Sequence, residues 1–242
     1  MVDRYAPRGR YALLALLLLA LLPVTPAAAQ WSGKGQLGIV VSSGNSTAKS
    51  GSLKLAATDL SGPWTHKFNF AAVYSSDAVA TTAQRWEAQE QSNYALDPND
   101  FVFGGLRYES DRYSGFDHQS TLSAGLGHLF FRTDVNQLSA QLGAGYKSAQ
   151  TRSPKLTESS VAGIGSLDYR HVFNASTSLL DKATVEYAKD NTFMQNEVAV
   201  EVKMSTKLAL AVAFQVRQNT SPPAAFKKTD TLTTVNVVYE LK

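Results

Sequence analysis

The sequence contains no cysteine, and beyond its first segment it has almost no excess of charge of either sign. The absence of cysteine excludes a disulfide framework and a thiolate metal site. Residues 1–29 hold three Arg and one Asp, so the rest of the chain has 20 Lys and Arg residues against 19 Asp and Glu, a net charge of +1. No basic stripe remains there, and we therefore expect no nucleic-acid partner.

The sequence also lacks an apolar run long enough for a membrane-spanning helix. The longest run covers residues 12–22, whereas a spanning helix needs about 20 residues. This run follows a stretch with three Arg residues and precedes small residues at Ala27 and Ala29. That order predicts a secretory signal peptide over residues 1–29. Residues 30–242 would then form one exported domain.

A helical period is missing after residue 30, and an alternation with period two takes its place. In NQLSAQLGAGYK, Leu138, Leu142 and Tyr146 share one face, while Gln141 and Lys147 share the other. Strict alternation of this length predicts strands that lie between two different environments. Twelve strands are predicted, over residues 31–42, 48–60, 64–76, 84–96, 101–112, 118–131, 136–149, 158–173, 178–189, 193–204, 208–218 and 229–241.

The connections between these strands alternate in character. SGP, DPND, RTDV, NAST and STK are short and rich in turn-forming residues, whereas others such as TRSPKLTE and NTSPPAAFKK are longer. Short turns at one end and longer loops at the other are typical of bacterial outer-membrane barrels. An even strand number puts both chain ends on the short-turn side. We therefore expect strand 229–241 to pair with strand 31–42 and close the barrel.

The distribution of aromatic residues favours a membrane barrel over a soluble β protein. The polar faces carry many small residues, which suit a crowded lumen better than open water. One end of the apolar faces carries Trp31, Trp64, Tyr94, Phe130, Phe173 and Tyr239, and the other carries Tyr74, Trp86, Tyr108, Tyr146 and Tyr187. Two aromatic girdles around an apolar band mark the two membrane interfaces. The predicted fold class is an all-β, antiparallel, up-and-down transmembrane β-barrel.

The predicted lumen face carries charges of both signs. The candidate site residues are Arg85, Glu87, Arg107, Glu109, Lys147, Glu201, Lys203 and Arg217, and Lys54, Lys67, Asp168, Arg170, Glu197 and Glu240 lie on the same face. Eight strands form a barrel that is filled by its side chains, and sixteen leave a channel. Twelve strands fall between these cases. The charges can therefore pair across a narrow lumen and block it, or line a small polar pore.

Catalytic chemistry has one candidate in the sequence. His118 lies beside a predicted loop, close to Asp111, Asp117 and Ser120, and a lipid-modifying enzyme would need a Ser, a His and an orienting partner. Such residues are common in loops, and their spacing establishes no mutual geometry. Adjacent Asp117 and His118 do not suit a shared tetrahedral metal site. We expect no enzyme activity, no cofactor and no metal site.

Three segments resemble a known family. WSGKGQLGIVVSSGNSTAKSGSLKL is similar to the opening of the domain-of-unknown-function family 481, through Trp31, Gly38 and the Ser-Gly-Asn loop at 43–45. YESDRYSGFDHQSTLSAGLGHLF is similar to its central stretch, although His128 stands where an aromatic residue is expected. KKTDTLTTVNVVYEL is similar to its closing segment. Members are often labelled salt-induced outer membrane proteins. The resemblance implies an outer-membrane β-barrel, no reaction and no catalytic residues.

Three functions follow as hypotheses. The first is a structural role in the envelope under stress, including the salt response that the family label implies. The second is a narrow pore for small solutes or ions, and the third is a lipid-modifying enzyme that uses His118. We expect a monomer in the bacterial outer membrane. Its expected partners are lipid and, during biogenesis, the barrel-assembly machinery.

Overall fold

The computed structural model describes residues 30–43, 48–76, 81–112 and 114–241. Every regular element in these ranges is a β-strand. The strands are β1 (Gln30–Ser43), β2 (Ala48–Ser61), β3 (Trp64–Ser76), β4 (Thr81–Ala95), β5 (Asp100–Asp111), β6 (Phe116–Arg132), β7 (Asn136–Thr151), β8 (Thr157–Val172), β9 (Thr177–Ala188), β10 (Phe193–Lys203), β11 (Leu208–Asn219) and β12 (Thr229–Leu241). The predicted signal peptide lies outside the described residues. Within the described ranges, no helix has the length and apolar character needed to cross a bilayer.

The strands form a closed barrel. Each strand pairs antiparallel with its neighbour in the chain, and β12 pairs with β1. The closing register runs from Gly33 opposite Leu241 to Ser43 opposite Thr231. Closure gives every strand two ladder partners, which a bilayer requires because lipid cannot hydrogen-bond a free sheet edge. The predicted pairing of the last strand with the first and the predicted twelve-stranded transmembrane barrel are both confirmed.

The two ends of the barrel differ less in loop length than the sequence predicts. The end where β1 begins and β12 ends, called the terminal end, has the connections 62–63, 96–99, 133–135, 173–176 and 204–207. The opposite end, called the loop end, has the connections 44–47, 77–80, 112–115, 152–156, 189–192 and 220–228. Only 220–228 is much longer than the turns. Several strands run further than predicted, as β6 and β7 do when they pair up to Phe116 opposite Thr151.

The barrel is apolar outside and polar inside. Leu122 and Leu142 point outward and are 64% and 75% exposed, whereas the inward Gln119 and Lys147 are 0% and 3% exposed. Alternation along each strand places these two sets on opposite faces. An apolar outer band and a polar interior are what a membrane barrel requires, since lipid covers the outer face.

Both predicted aromatic girdles lie on the outward face. At the terminal end Trp64 packs edge-on against Tyr94, with ring centroids 5.0 Å apart. At the loop end Trp86 stacks on Tyr108 at 5.1 Å, and Tyr108 stacks on His118 at 5.7 Å. These rows of rings from neighbouring strands suit the two membrane interfaces.

Two of the acids on the outward face, Asp181 and Glu90, each have a hydrogen-bonding neighbour on that face. Asn196 donates from Nδ2 to Asp181 Oδ1 at 2.6 Å. Ser92 donates from Oγ to Glu90 Oε1 at 2.6 Å. These pairs supply the hydrogen bonds that an acid on a lipid-facing surface cannot obtain from lipid.

Aromatic rings narrow the lumen on one side of the terminal-end half. Phe101 and Phe103 point inward from β5, towards the glycines of β6. A Cβ at Gly127 would lie 2.2 Å from the ring of Phe101, and one at Gly125 would lie 2.8 Å from that of Phe103. A methyl group at Gly127 would therefore displace the ring of Phe101, and one at Gly125 would also lie 2.3 Å from the backbone oxygen of Leu142.

Candidate functional site

Charged side chains from five strands meet in the loop-end half of the lumen. This lumen cluster consists of Arg85 and Glu87 on β4, Arg107 and Glu109 on β5, Lys147 on β7, Glu186 on β9, Arg217 on β11 and the ring of Phe193 on β10. The alternation of each strand directs these side chains inward. Four of the charged residues are basic and three are acidic, so the cluster has one more positive than negative group.

Glu109 joins opposite walls of the barrel. Its Oε2 accepts hydrogen bonds from the guanidinium groups of Arg107 on the same strand and of Arg217 on β11. β5 and β11 are six strands apart in a ring of twelve, so the Arg217–Glu109 contact crosses the full width of the lumen. Glu109 is 2% exposed. A carboxylate so far removed from water is stable only with such charged partners.

Glu186 is a second buried acceptor in the cluster. Arg107 Nη1 lies 3.3 Å from its Oε1, and Lys147 Nζ lies 3.5 Å from its Oε2. Thr121 donates from Oγ1 to the same Oε2 at 3.0 Å. Arg107 also reaches Glu87 Oε1 with its Nε at 3.4 Å, so this one guanidinium contacts three carboxylates. The fork of donors on Arg suits such a role better than the point charge of Lys.

A phenyl ring underlies the basic groups. Phe193 is 1% exposed, and the guanidinium carbons of Arg107 and Arg217 lie 4.3 and 5.0 Å from its ring centroid. Lys147 Nζ lies 5.6 Å from the same centroid. Cations over a ring face are attracted by its negative charge density, more strongly where water is excluded. Phe193 thus holds together three like charges that would otherwise repel one another.

Loops cover the cluster at the loop end. Gly115, in the β5–β6 loop, has φ +85, and a Cβ there would lie 2.8 Å from the ring of Phe226 and 2.9 Å from Pro223. Phe226 and Pro223 belong to loop 220–228, on the opposite side of the barrel. Ser221 also donates its N–H to Asn191 Oδ1 at 3.0 Å. Described loops from opposite sides of the barrel therefore meet at the loop end.

Open space lies between the cluster and the terminal end. One cavity of about 410 Å³ is lined by Lys54, Glu87, Glu197 and Gln215, among others. A second cavity of about 180 Å³ lies against Arg107 and Glu186. The two share Asn69, Gln89, Lys182 and Gln195 in their linings. The larger cavity is also lined by apolar residues such as Val73 and Leu232. The lumen below the cluster is therefore hollow, with a lining of charged, amide and apolar side chains.

Ion pairs in this lower half lie nearer to one wall. Lys34 on β1 pairs with Glu201 on β10, and Lys54 on β2 pairs with Glu197 on β10 at 2.5 Å. β1 and β10 are three strands apart around the barrel, and β2 and β10 are four apart. Both separations are smaller than the six strands between Arg217 and Glu109. The lower pairs therefore leave the cavities open.

Most of the predicted site residues lie together in the structure. Arg85, Glu87, Arg107, Glu109, Lys147 and Arg217 are all members of the cluster, and Arg85 donates to Gln215 Oε1 at 3.2 Å. Glu201 lies lower, in its pair with Lys34. Lys203 has the inward register of β10 but is exposed at the terminal-end rim. Five of the eight candidates thus form ion pairs within the cluster, and the pairs of Arg217 with Glu109 and Glu87 cross the lumen.

Two members of the cluster were not among the predicted site residues. Glu186 and Phe193 lie on β9 and β10, whose alternation is the least regular because of Asp181 and Asn196 on the outward face. Tyr187 was assigned to the apolar face, and that assignment alone places the adjacent Glu186 inward. Phe193 has the opposite parity to Val200, an outward residue, so the same rule would have found it.

The structure does not assemble the residues that were considered as a catalytic candidate around His118. The contact of His118 is the stacked ring of Tyr108, in the loop-end girdle. Asp117 instead lies 3.4 Å from Arg152 and 3.6 Å from Lys155. Among the described residues, no three His, Asp or Glu side chains are arranged to hold a metal ion.

Comparisons with known proteins agree with this architecture. The NanC porin aligns with a TM-score of 0.57 at 10% identity, over 88% of this chain and 100% of that one. The translocator domain of the autotransporter NalP from Neisseria meningitidis aligns with a TM-score of 0.51 at 12% identity, over 95% of each chain. At these identities the likeness concerns the fold alone, which is that of outer-membrane-type barrels.

A relative is found by sequence. The uncharacterized protein YdiY of Escherichia coli (strain K12) is 27% identical over 161 residues, which cover 66% of this chain and 63% of YdiY. The matched region thus spans less than two thirds of that relative. The profile of the family described as "Protein of unknown function, DUF481" matches residues 35–241, almost the whole barrel. The chain belongs to the DUF481 family of proteins of unknown function.

Proposed function

We propose that this protein is a narrow, gated passage for small hydrophilic solutes or ions in the bacterial outer membrane. The terminal end would face the periplasm, as short turns and chain ends do in barrels of this class. The observation that carries the proposal is a hollow lumen, lined in part by charged and amide side chains, below a barrier of side chains. A barrier made of rotatable side chains can open without unfolding of the barrel wall.

The cavities limit the size of the solute. Pockets for drug-sized ligands have volumes of about 300–1,000 Å³. The larger cavity here is about 410 Å³ and the smaller about 180 Å³. Besides apolar residues, their linings carry amides and charges of both signs, such as Asn69, Gln89, Lys54 and Glu197. We therefore propose a small polar solute or an ion, and no chemical reaction on it.

A structural role in the envelope is the second candidate, and it includes the salt response that the family label implies. The observation in its favour is the pairing of Glu109 with two guanidinium groups, because a permanently paired cluster would brace the barrel walls. The two candidates differ in one measurable property. A braced barrel conducts no ions, whereas a gated passage conducts when its barrier is weakened.

Conductance in planar lipid bilayers tests the proposal. The protein is compared with the double variant Glu109→Ser/Arg217→Ser, which removes the contact across the lumen. The matched control is Lys34→Ser/Glu201→Ser, which removes an ion pair below the cluster. We expect brief openings in the unmodified protein, several-fold higher mean conductance in the cluster variant, and no change in the control.

Heat-modifiable migration on gels confirms first that each variant is a folded barrel. A folded cluster variant with no current above an empty bilayer would overturn the passage and leave the structural role. Equal gains in the cluster variant and the control would show that the barrier lies elsewhere in the lumen. Uptake of sugars of increasing size into vesicles then gives the size limit of the open state.

A further inference from the structure

A row of polar side chains crosses the outward face near the terminal end, where lipid headgroups meet the barrel. Asp59 on β2 lies opposite His66 on β3, and His66 lies opposite Ser92 on β4. Glu90 lies on the same face of β4, two residues from Ser92. Trp31 precedes the row on β1, opposite Asp59. Trp64 and Tyr94 form the next row towards the terminal end. We call Asp59, His66, Glu90 and Ser92 the outer polar patch.

Hydrogen bonds within the patch run in one direction. Ser92 donates its hydroxyl proton to Glu90 Oε1 at 2.6 Å, because an ionised carboxylate can only accept. The 2.7 Å contact between His66 Nδ1 and Ser92 Oγ must then be a donation from the imidazole. The ring of His66 stacks on Trp64, with centroids 5.7 Å apart. His66 and Ser92 are therefore oriented towards Glu90 and leave Asp59 at the other end of the row.

Asp59 is the unusual member of the patch. It is 9% exposed, and its Oδ1 is buried without a hydrogen-bond partner. The rings of Trp31 and Phe68 come from the strands on either side of β2 and stack on each other, with centroids 6.4 Å apart. An acid buried to this extent is costly unless a cation or a donor reaches it. The vacant acceptor thus indicates a partner from outside the chain.

Two other histidines at the same girdle serve as internal references. His128 Nδ1 lies 2.6 Å from Asp100 Oδ1, and both side chains are about half exposed. His171 Nδ1 lies 2.7 Å from Asn136 Oδ1. Each of these histidines also packs edge-on against a phenylalanine, at 4.8 and 4.7 Å. Neither pair includes a buried acid with an unpartnered oxygen. Of these three histidine sites, the outer polar patch is therefore the one that indicates a partner from outside the chain.

The geometry argues against two other roles for the patch. A Ser–His–Asp hydrolase needs the histidine to take the serine proton, whereas here Ser92 gives its proton to Glu90. The backbone N–H groups around Ser92 lie within the paired strands β3, β4 and β5, so no oxyanion hole is available. A divalent cation would need more oxygen ligands than this patch brings together, and no such group of three occurs in the described residues.

We propose that the outer polar patch binds the primary ammonium headgroup of a phospholipid in the leaflet at the terminal end. An ammonium carries three N–H donors and a positive charge. It can pair with the carboxylate of Asp59 and balance the charge of Glu90, while Trp31 and Trp64 offer ring faces to the cation. The girdle rings set this patch at headgroup height, with the acyl chains on the apolar band.

Native mass spectrometry of the folded, detergent-extracted barrel tests the proposal. The protein is titrated with phosphatidylethanolamine, phosphatidylcholine and phosphatidylglycerol that carry identical acyl chains. We expect one phosphatidylethanolamine to bind with about tenfold preference over the other two, as a charge-assisted hydrogen bond allows. Asp59→Asn keeps the shape of the side chain but removes the charge, and it should abolish that preference. Glu90→Gln should reduce it.

The matched control is Asp100→Asn, which removes an acid from the same girdle and should leave the preference intact. An unchanged preference in folded Asp59→Asn would overturn the proposal, as would an equal loss in the control. Equal binding of phosphatidylcholine would mean that aromatic rings alone hold the lipid and that the acids do not. Binding of free ethanolamine as tight as that of the lipid would overturn the assignment to a membrane lipid.

Discussion

The two halves of the lumen carry the same types of charged residue, but one half is filled by side chains and the other is hollow. In the loop-end half, Glu109 and Arg217 meet from strands six apart, and Phe193 fills the space beneath the basic groups. In the terminal-end half, Lys54 and Glu197 meet from strands four apart and leave a cavity of about 410 Å³ beside them. Closure therefore depends on where around the ring the paired strands stand, rather than on how many charges point inward.

The largest effect is expected from removal of the acid at the centre of the closed half. Glu109→Ala leaves Arg107 and Arg217 without their shared carboxylate, and loss of one partner of a buried pair costs about 3–5 kcal/mol. Urea unfolding of the barrel from lipid vesicles measures this change in unfolding free energy. The double variant Glu109→Ala/Arg217→Ala should lose less unfolding free energy than the two single variants lose in sum. A loss below about 1 kcal/mol would mean that water reaches the cluster and screens it.

A smaller effect is expected at the aromatic wall of the hollow half. Gly127→Ala places a methyl group 2.2 Å from the ring of Phe101, which must move, at a cost of about 1–3 kcal/mol. Gly104→Ala is the matched control, because nothing lies within 4 Å of its Cβ position. Unfolding free energies of the two variants should differ clearly. If the ring cannot adapt, adding Phe101→Ala to Gly127→Ala should restore the unfolding free energy. Equal unfolding free energies for Gly127→Ala and Gly104→Ala would show that the ring adapts freely.

A still smaller effect is expected for an ion pair in the hollow half. Lys54 and Glu197 are each 22% exposed, so water screens their attraction. Lys54→Met should therefore lower the unfolding free energy by about 1 kcal/mol or less, in the same urea assay. A cost as large as that of Glu109→Ala would erase the distinction drawn between the two halves.

The smallest effect is expected at a turn of the terminal end. The backbone N–H groups of Asn99 and Asp100 donate to Asp97 Oδ1 at 2.8 Å each, which lowers the pKa of Asp97 below its usual value. Its contribution to stability is present above the unfolded pKa of about 4 and is lost as the pH falls through the folded value. At pH 7 the unfolding midpoint of Asp97→Ala should thus be lower than that of the unmodified protein. At pH 3 the two midpoints should be closer together. A gap that widens in acid would contradict the assignment.

Much of the wall could be predicted because alternation is a local property of a strand. A residue such as Leu142 must face lipid if Gln141 faces the lumen, so the order of apolar and polar residues assigns both faces. The twelve strands and the closing pair followed from the same pattern. The prediction of loop lengths was less accurate. Residues near Phe116 and Thr151 have a turn-like composition, yet they extend the β6–β7 ladder.

The sequence by itself determined the strands, their faces, the two girdles and the inward direction of six of the cluster residues. Only the tertiary structure decided which charges meet, since Glu109 and Arg217 stand 108 positions apart and share no ladder. It also decided that Asp59, although flanked by ordinary strand residues, is buried without a partner for Oδ1. The physical reason is the same in both cases. Alternation sets the direction of a side chain, whereas closure of the ring sets what stands opposite it.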